Sequence, residues 1–389
     1  MLNASTNFIN AMNSPSAQVF IKLELYDSNM NYIKEITQDV QSDLGTLNIS
    51  VDSPIRRSFS LSLDNSLGEF IFGETNLIWL DKRIKLYIGL KTWNDDIEYV
   101  PLGVFVLTQP QNQHTLQNKN TTINAVDKAY FLTDNRGKFV NNVTIQTGAK
   151  ITDSIKLIAN EVGETMFNFD DITDTVPYDL TYSGSDNRWK ALQELATLAK
   201  AEIFYDCLGF LRLKKLDLDY FDNEPISWSY SAGDSFYVGT QRQLDDSNLY
   251  NDIVVLGGSS DTATCSYRLT VDETNTIWAG SPYSVQKLGY ITQMWNSGNP
   301  DSLLQTNNDC KFRAKYQLMH SLGLTEKIQL TIFPNYLHDG NDVIFLQDDS
   351  NGISGSKYII QQINMPLSLQ AMTMDVKRYS PVISDWNFI

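Results

Sequence analysis

The sequence predicts an α+β chain that is mainly β: two antiparallel β-barrel domains separated by an α/β module, the second barrel interrupted by an insertion. Three observations predict this. A strand–turn–strand–turn–strand pattern occurs twice, over residues 83–131 (RIKLYIGL, PLGVFVLTQP, TTINAVDKAYF) and 341–379 (NDVIFLQD, KYIIQQINMP, AMTMDVKRY). Recurrence in one order points to duplicated architecture. Both copies close on basic residues near a tyrosine, Val126-Asp127-Lys128-Ala129-Tyr130 and Val376-Lys377-Arg378-Tyr379. Period-two alternation runs through roughly the first 115 residues and gives way, in the middle of the chain, to helical spacing.

Taken in order, the expected divisions are a first barrel over 1–115, an α+β module over 116–245, a second barrel from 246–262 and 310–380, an insertion over 263–309 and a tail over 381–389. In the first barrel, Ile21, Leu23 and Leu25 share one face and Lys22 and Glu24 the other. Phe59, Leu61 and Leu63 alternate with Ser58, Ser60 and Ser62, and Ile84, Leu86, Ile88 and Leu90 repeat the pattern. Such alternation marks strands with one buried and one wet face. Ser53-Pro54 and Leu67-Gly68 are the expected breaks.

In the module, ITDSIKLIANEVG predicts a helix with Thr152 as N-cap, an apolar stripe of Ile155, Leu157, Ile158 and Val162, and Gly163 past its end. SDNRWKALQELATLAKA predicts a second, capped by Asp186, with Trp189, Leu192, Leu195, Ala196 and Ala199 at helical spacing. EIFYD and FLRLKKL, joined by Cys207-Leu208-Gly209, read as a hairpin. NDIVVLGG (251–258) reads as a short buried strand opening the second barrel. CKFRAKYQLMHSLG is a helix carrying Phe312, Tyr316 and Met319 on one side, and EKIQLTIFP restarts the alternation with Ile328, Leu330 and Ile332.

Composition narrows the function. A net charge of −16 and a pI near 4.6 argue against gripping a phosphate backbone, which needs clustered Lys and Arg. Lys214-Lys215 and Arg56-Arg57 are pairs rather than patches, read as exposed strand positions that discourage edge pairing. There is no secretory signal pattern at the start, and no apolar run approaches the ~18 residues of a spanning helix. Cys207, Cys265 and Cys310 are odd in number and widely spaced, so they read as free thiols of a protein made in a reducing cytoplasm.

No residue is expected to act in catalysis, bind a cofactor or ligate a metal. His114, His320 and His338 have no Cys or second His at ligand spacing. His338-Asp339-Gly340-Asn341 is a turn sequence, and His320 sits at a helix boundary. Asp348-Asp349-Ser350-Asn351-Gly352 resembles a calcium loop, but aligned on Gly352 its first and twelfth positions fall on Gln347 and Tyr358, neither a suitable anchor. Asp170, Asp171 and Asp174 supply carboxylates for an acid/base pair. Trp278 and Trp295 supply faces that suit a sugar.

The order of motifs resembles one family. A β-barrel precedes an α/β module with Trp189, Leu192, Gln193, Glu194, Leu195 and Ala196, then Ala201 to Asp206, Gly209, Leu211, Arg212 and Leu213. A strand at 250–257 and closing strands from His338 through Met365 and over 372–378 follow. This layout, across nearly the whole chain, is similar to the baseplate hub proteins of bacteriophage tails. The resemblance implies tail-tube-like barrels and a homotrimer, whose two barrels per subunit form a pseudo-sixfold ring matched to a sixfold tail tube. It implies as partners a tail tube or distal tail protein, a central spike or tail-tip lytic protein and the tape measure protein. DNA would pass through a lumen lined by carboxylates without specific binding. The protein would be made in the bacterial host cytoplasm and reside at the virion's tail tip. Some hubs continue into a lytic domain, whereas this sequence stops after the second barrel, so lytic activity is expected on another chain. Two rival readings are a receptor- or glycan-binding tail protein using the aromatic insertion, and a cell-wall hydrolase using Asp170–Asp174.

Overall fold

The computed structural model describes residues 1–216, 224–244, 246–259, 262–323 and 326–378. The tail expected over 381–389, Tyr379, and the side chains of His320 and Gly323 lie outside the described residues.

The first β unit opens with helix α1 (Thr6–Met12), whose N-cap Ser5 accepts from the backbone N–H groups of Asn7 and Phe8. The helix buries Phe8 and Met12. Seven strands follow: β1 (Val19–Tyr26), β2 (Tyr32–Ile36), β3 (Val40–Ser50), β4 (Arg57–Asp64), β5 (Arg83–Lys91), β6 (Ile97–His114) and β7 (Lys119–Asp127). They lie in the order β2-β1-β5-β6-β7-β4-β3. The alternation legible in the sequence becomes the buried face: Leu23, Leu25, Phe59, Leu61, Leu63, Ile84, Leu86, Ile88 and Leu90 are all in the core.

The middle unit has its own core. Its elements are β8 (Val143–Ile145), α2 (Ile151–Asn160), β9 (Phe167–Phe169), β10 (Leu180–Tyr182), α3 (Arg188–Leu198), β11 (Ala201–Tyr205) and β12 (Leu211–Lys215). The β11–β12 hairpin turns through Gly209 at φ +81°, and β9 adds to it in parallel. Ile155, Ile158, Trp189, Leu192 and Leu195 pack α2 and α3 over this sheet. Both helix starts differ from expectation by a residue or two. Lys150 rather than Thr152 precedes α2, and Asn187 caps α3 by accepting from Lys190 N at 2.8 Å. Asp186 instead accepts from the Lys190 ammonium and from Ser183 N.

The remainder is β13 (Trp228–Ser231), β14 (Tyr237–Leu244), β15 (Asp252–Ser259), β16 (Thr262–Thr270), α4 (Val285–Leu288), β17 (Thr292–Met294), α5 (Asn307–Gly323), β18 (Glu326–Ile332), β19 (Val343–Asp348), β20 (Ile353–Pro366) and β21 (Met372–Arg378). Here the strands partner differently from the sequence reading. β15, expected to open the second barrel, pairs with β16 and β17 in a separate three-stranded sheet. The helix α5 shares that unit's core through Cys310, Ala314 and Leu318. Conversely β13 and β14, placed with the α+β module, pair with β19 and β18. A strand's own residues record burial but not its partner, which for β13 and β14 lies roughly 80 to 120 residues further along the chain.

Both β units belong to one 13-stranded sheet and one core. Within it the duplication is explicit. The second unit runs β14-β18-β21-β20-β19 and the first runs β3-β4-β7-β6-β5, the same five-strand order. The registers align them residue by residue. Phe105 faces Ile84 and Asp127, and Tyr358 faces Ile344 and Arg378. Asp127 therefore occupies the place of Arg378, and the match of Val126 with Val376 is out by one residue. Because faces alternate, a one-residue slip exchanges inside and outside; Val376 is buried and Val126 is not.

Candidate functional site

The first candidate is a pair of open strand edges. Within the chain the two units are joined where β3 lies antiparallel to the end of β20, pairing Asn48 with Asn364 and Ile49 with Ile363. In the second unit the counterpart of β3 is β14, and among the described residues only β18 pairs with it. In the first unit the counterpart of β20 is β6. Its residues up to Val106 pair with β5, those from Phe105 to His114 pair with β7, and beyond Val106 no described strand pairs with the β5 side. A bulge between Thr108 and Gln111, with Gln109 at φ +45°, marks the start of this free stretch, and Pro110, lacking an N–H, fits an edge. Gln241 to Leu244 and Gln111 to His114 are exposed. Leu244 occupies the position of Ile49; Ile49 is 2% exposed and Leu244 76%. A leucine left in water on an unpaired edge marks a surface to be covered.

The second candidate is the buried polar seam under the β3–β20 junction. Arg56 and Arg57, expected on the surface, are 3% and 1% exposed. The correction has a physical cause: charge beside a strand signals solvent only if no carboxylate waits inside. The Arg57 guanidinium donates to both oxygens of Asp339 at 2.5 and 2.6 Å, and its backbone N–H donates to Asp127 at 2.9 Å. Burial is the largest influence on the Arg57 charge and opposes it, but the Asp339 carboxylate, together with Asp127 and the other groups around it, raises the pKa. Arg56 ion-pairs with Glu202 and lies 3.9 Å from the Phe204 ring centroid. Asn341 Nδ2 donates to the second Glu202 oxygen at 3.2 Å. The seam thus ties the first unit (Arg56, Arg57), the middle unit (Glu202, Phe204) and the second unit (Asp339, Asn341) together. Cys207 lies beside it, and burial pushes its thiol up to about 11, so it stays protonated.

Asp127 is the seam's titrating member. Burial pushes its carboxyl up to about 6, against the N–H donors of Arg57 and Ala129. Between its ordinary 3.8 and about 6 the folded chain holds a proton that the unfolded chain has lost. The contribution of this group to stability therefore falls as pH rises through that window and is constant above it. Relative to wild type, Asp127→Asn is expected to gain on the order of 2 kcal/mol between pH 4 and pH 7, read from urea midpoints at both values. Parallel curves for the two proteins would contradict the assignment.

The other residues singled out in the sequence do not converge. Asp170 accepts from Arg212 at 3.2 Å and Lys215 N at 2.9 Å, Asp174 O from Ile151 N, and Asp171 is exposed. In the 348–352 turn, Asp348 accepts from Tyr237 and Thr240, while Arg242 binds the carbonyls of Asn351 and Gly352. A cation there would face a guanidinium. Among the described residues no group of three His, Cys, Asp or Glu is placed to hold a metal. His114 ends β6 opposite Lys119 and is exposed. His338 is buried, 2.7 Å from Tyr230 Oη and 3.4 Å from Asp342. Trp278 is 3% exposed in the third core, and Trp295 donates to Asp301 at 2.8 Å. Lys214 pairs across from Glu202 on β11. Cys265 and Cys310, far apart in sequence, sit with their sulfurs 3.4 Å apart, a proximity that nothing in their spacing announces. Among the described residues no helix is long and apolar enough to cross a membrane.

This arrangement has the fold of phage tail proteins. A tail protein from Neisseria meningitidis MC58 superposes with a TM-score of 0.65 at 12% identity, over 94% of this chain and 98% of that one. The 43 kDa tail protein of prophage MuSo2 from Shewanella oneidensis gives 0.60 at 11% identity, over 94% and 99%. A chain of the Francisella PdpA-VgrG complex gives 0.56 at 15% identity, over 94% of this chain and 53% of that one. The likeness to phage tail proteins expected from the sequence holds at the level of fold. A family model described as a domain of unknown function (DUF5048) matches residues 280–383. No curated protein matches the chain in sequence.

Proposed function

We propose that this chain is a structural tail protein: a trimeric hub that adapts a sixfold tail tube to a threefold tip and works without catalysing a reaction. The observation that carries the reading is the duplicated five-strand block with two open edges. The internal joint pairs β3 with β20. The same joint between subunits pairs β14 of one protomer with β6 of the next, matching Gln243 to Gln111 and Gln241 to Gln113. Each protomer supplies two blocks, so three protomers supply six, and a head-to-tail contact closes into a ring. The tail proteins that share the fold, and the VgrG complex, support a place at the tail tip. On this reading a tail tube or distal tail protein docks on one face, and a spike, lytic tip protein or tape measure protein on the other. The acidic chain lines a passage that DNA traverses without sticking. The virion's tail tip is its location, after synthesis in the bacterial host cytoplasm. The test is solution mass by light scattering: three times the 44.1 kDa chain supports the ring, and a monomer at all concentrations counts against it.

A further inference from the structure

The strand ladders put an exposed leucine at the same point of each five-strand block. With Asp127 aligned on Arg378, Thr122 aligns with Thr373, and these face Gln111 on β6 and Asn364 on β20. Five residues beyond Gln111 and Asn364, in the β6–β7 and β20–β21 turns, stand Leu116 and Leu369. They are 107% and 52% exposed. The connection leaving the neighbouring strand repeats the pattern, with Leu67 after β4 and Phe333 after β18, both exposed. One apolar side chain in water is ordinary. Two at matched points, on turns where polar residues and glycine are the usual choice, mark a contact that both blocks make.

The match is confined to one end of the strands. The antiparallel ladders set the ends of β4 and β6 beside the start of β7, and the ends of β18 and β20 beside the start of β21. The β3–β20 joint places both blocks the same way up. At the other end, β7 runs through Asp127 into the middle unit and β14 runs through Leu244 towards β15 and the third unit. Each of those units occurs once per chain. The remaining hairpins do not match either. The β5–β6 turn exposes Trp93, whereas the β19–β20 turn is made of Asp349 to Gly352.

We infer that the end bearing Leu116 and Leu369 is the docking surface for a sixfold ring of another protein, each of whose subunits receives one apolar tip. The inference rests on the ring reading. Pairing β14 with β6 of the next protomer closes the sheet, and the strand ends become its two rims. One rim then carries two leucine tips per chain, six per ring; the other carries the middle and third units, three of each. A surface repeated six times fits a sixfold partner, and one repeated three times a threefold partner.

The probe is the tail-tube protein of the virion that carries this chain, assembled as hexameric rings or short tubes. Wild-type trimers are expected to cap them, read by co-sedimentation and negative-stain images. Leu116→Asp combined with Leu369→Asp is expected to weaken capping about a hundredfold, as loss of a hot spot does, while light scattering still gives the trimer mass. Trp93→Asp, on a turn without a match, is expected to cap like wild type. Wild-type trimers that leave the tube bare, a double variant that caps as well as wild type, or an equal loss in Trp93→Asp would overturn the docking surface. Wild-type trimers that pair with one another through these tips would overturn it too, since the occupant would then be a second copy of this chain. Solution mass separates the two levels: a wild-type chain that stays monomeric even with tubes present overturns the ring reading, and the docking surface with it.

Discussion

Leu244→Asp is expected to dissociate the assembled particle to monomers while leaving the monomer folded. The side chain is 76% exposed at the end of β14, so within one chain the substitution touches no core. In the ring it takes the place that Ile49 holds at the internal joint, where burial is nearly complete. A charge there meets the β6 edge of the neighbour in every copy of the interface. Losing a buried leucine costs about 2–5 kcal/mol, and desolvating an unpaired carboxylate adds several more. Across three identical contacts that is enough to separate protomers at micromolar concentration. Light scattering reads the mass, and circular dichroism with an unchanged melting temperature at high dilution reads the fold. A trimer that persists in the variant would move the interface away from β14.

Asp339→Ala is expected to destabilise the chain by about 3–5 kcal/mol, the range for removing one partner of a buried ion pair. It leaves Arg57, 1% exposed, with Asp127 as the remaining carboxylate near it, and Asp127 already accepts the backbone N–H groups of Arg57 and Ala129. The cost belongs to the stranded charge more than to the lost contact. Adding Arg57→Met to Asp339→Ala is therefore expected to recover much of the loss, since an apolar replacement of a buried pair is often neutral. Urea unfolding of the four proteins in the cycle measures the coupling. Equal and additive losses would mean that the pair contributes nothing beyond its separate parts.

How far the sequence carried these conclusions depends on whether a feature is local. Ile84, Leu86 and Ile88, or Phe59, Leu61 and Leu63, announce a buried face by alternation within one strand, and all are in the core. The duplication was legible because turn, strand length and order survive divergence. Its register was not: Val126 and Val376 look equivalent as letters, and only the ladders put Asp127 in the place of Arg378. Pairing partners were the main loss. NDIVVLGG reads as a core strand of any sheet, and its true partners, β16 and β17, carry no matching sign. Arg56 and Arg57 read as surface residues because their carboxylates come from Glu202 and Asp339, 146 and 282 positions away. The open edges were invisible for the same reason, since an unpaired edge is defined by the neighbours a strand lacks.

The central claim is that β14 of one protomer continues the sheet at β6 of the next, and disulfide trapping tests it most directly. Gln243→Cys and Gln111→Cys are introduced together into a chain whose native Cys207, Cys265 and Cys310 are replaced by serine. Facing residues on adjacent antiparallel strands sit about 5 Å apart, within reach of a disulfide. Mild oxidation is predicted to yield covalent dimers and trimers on a non-reducing gel, with neither single-cysteine protein giving trimers. Only monomers from the double variant, under conditions where light scattering shows an assembled particle, would contradict the account.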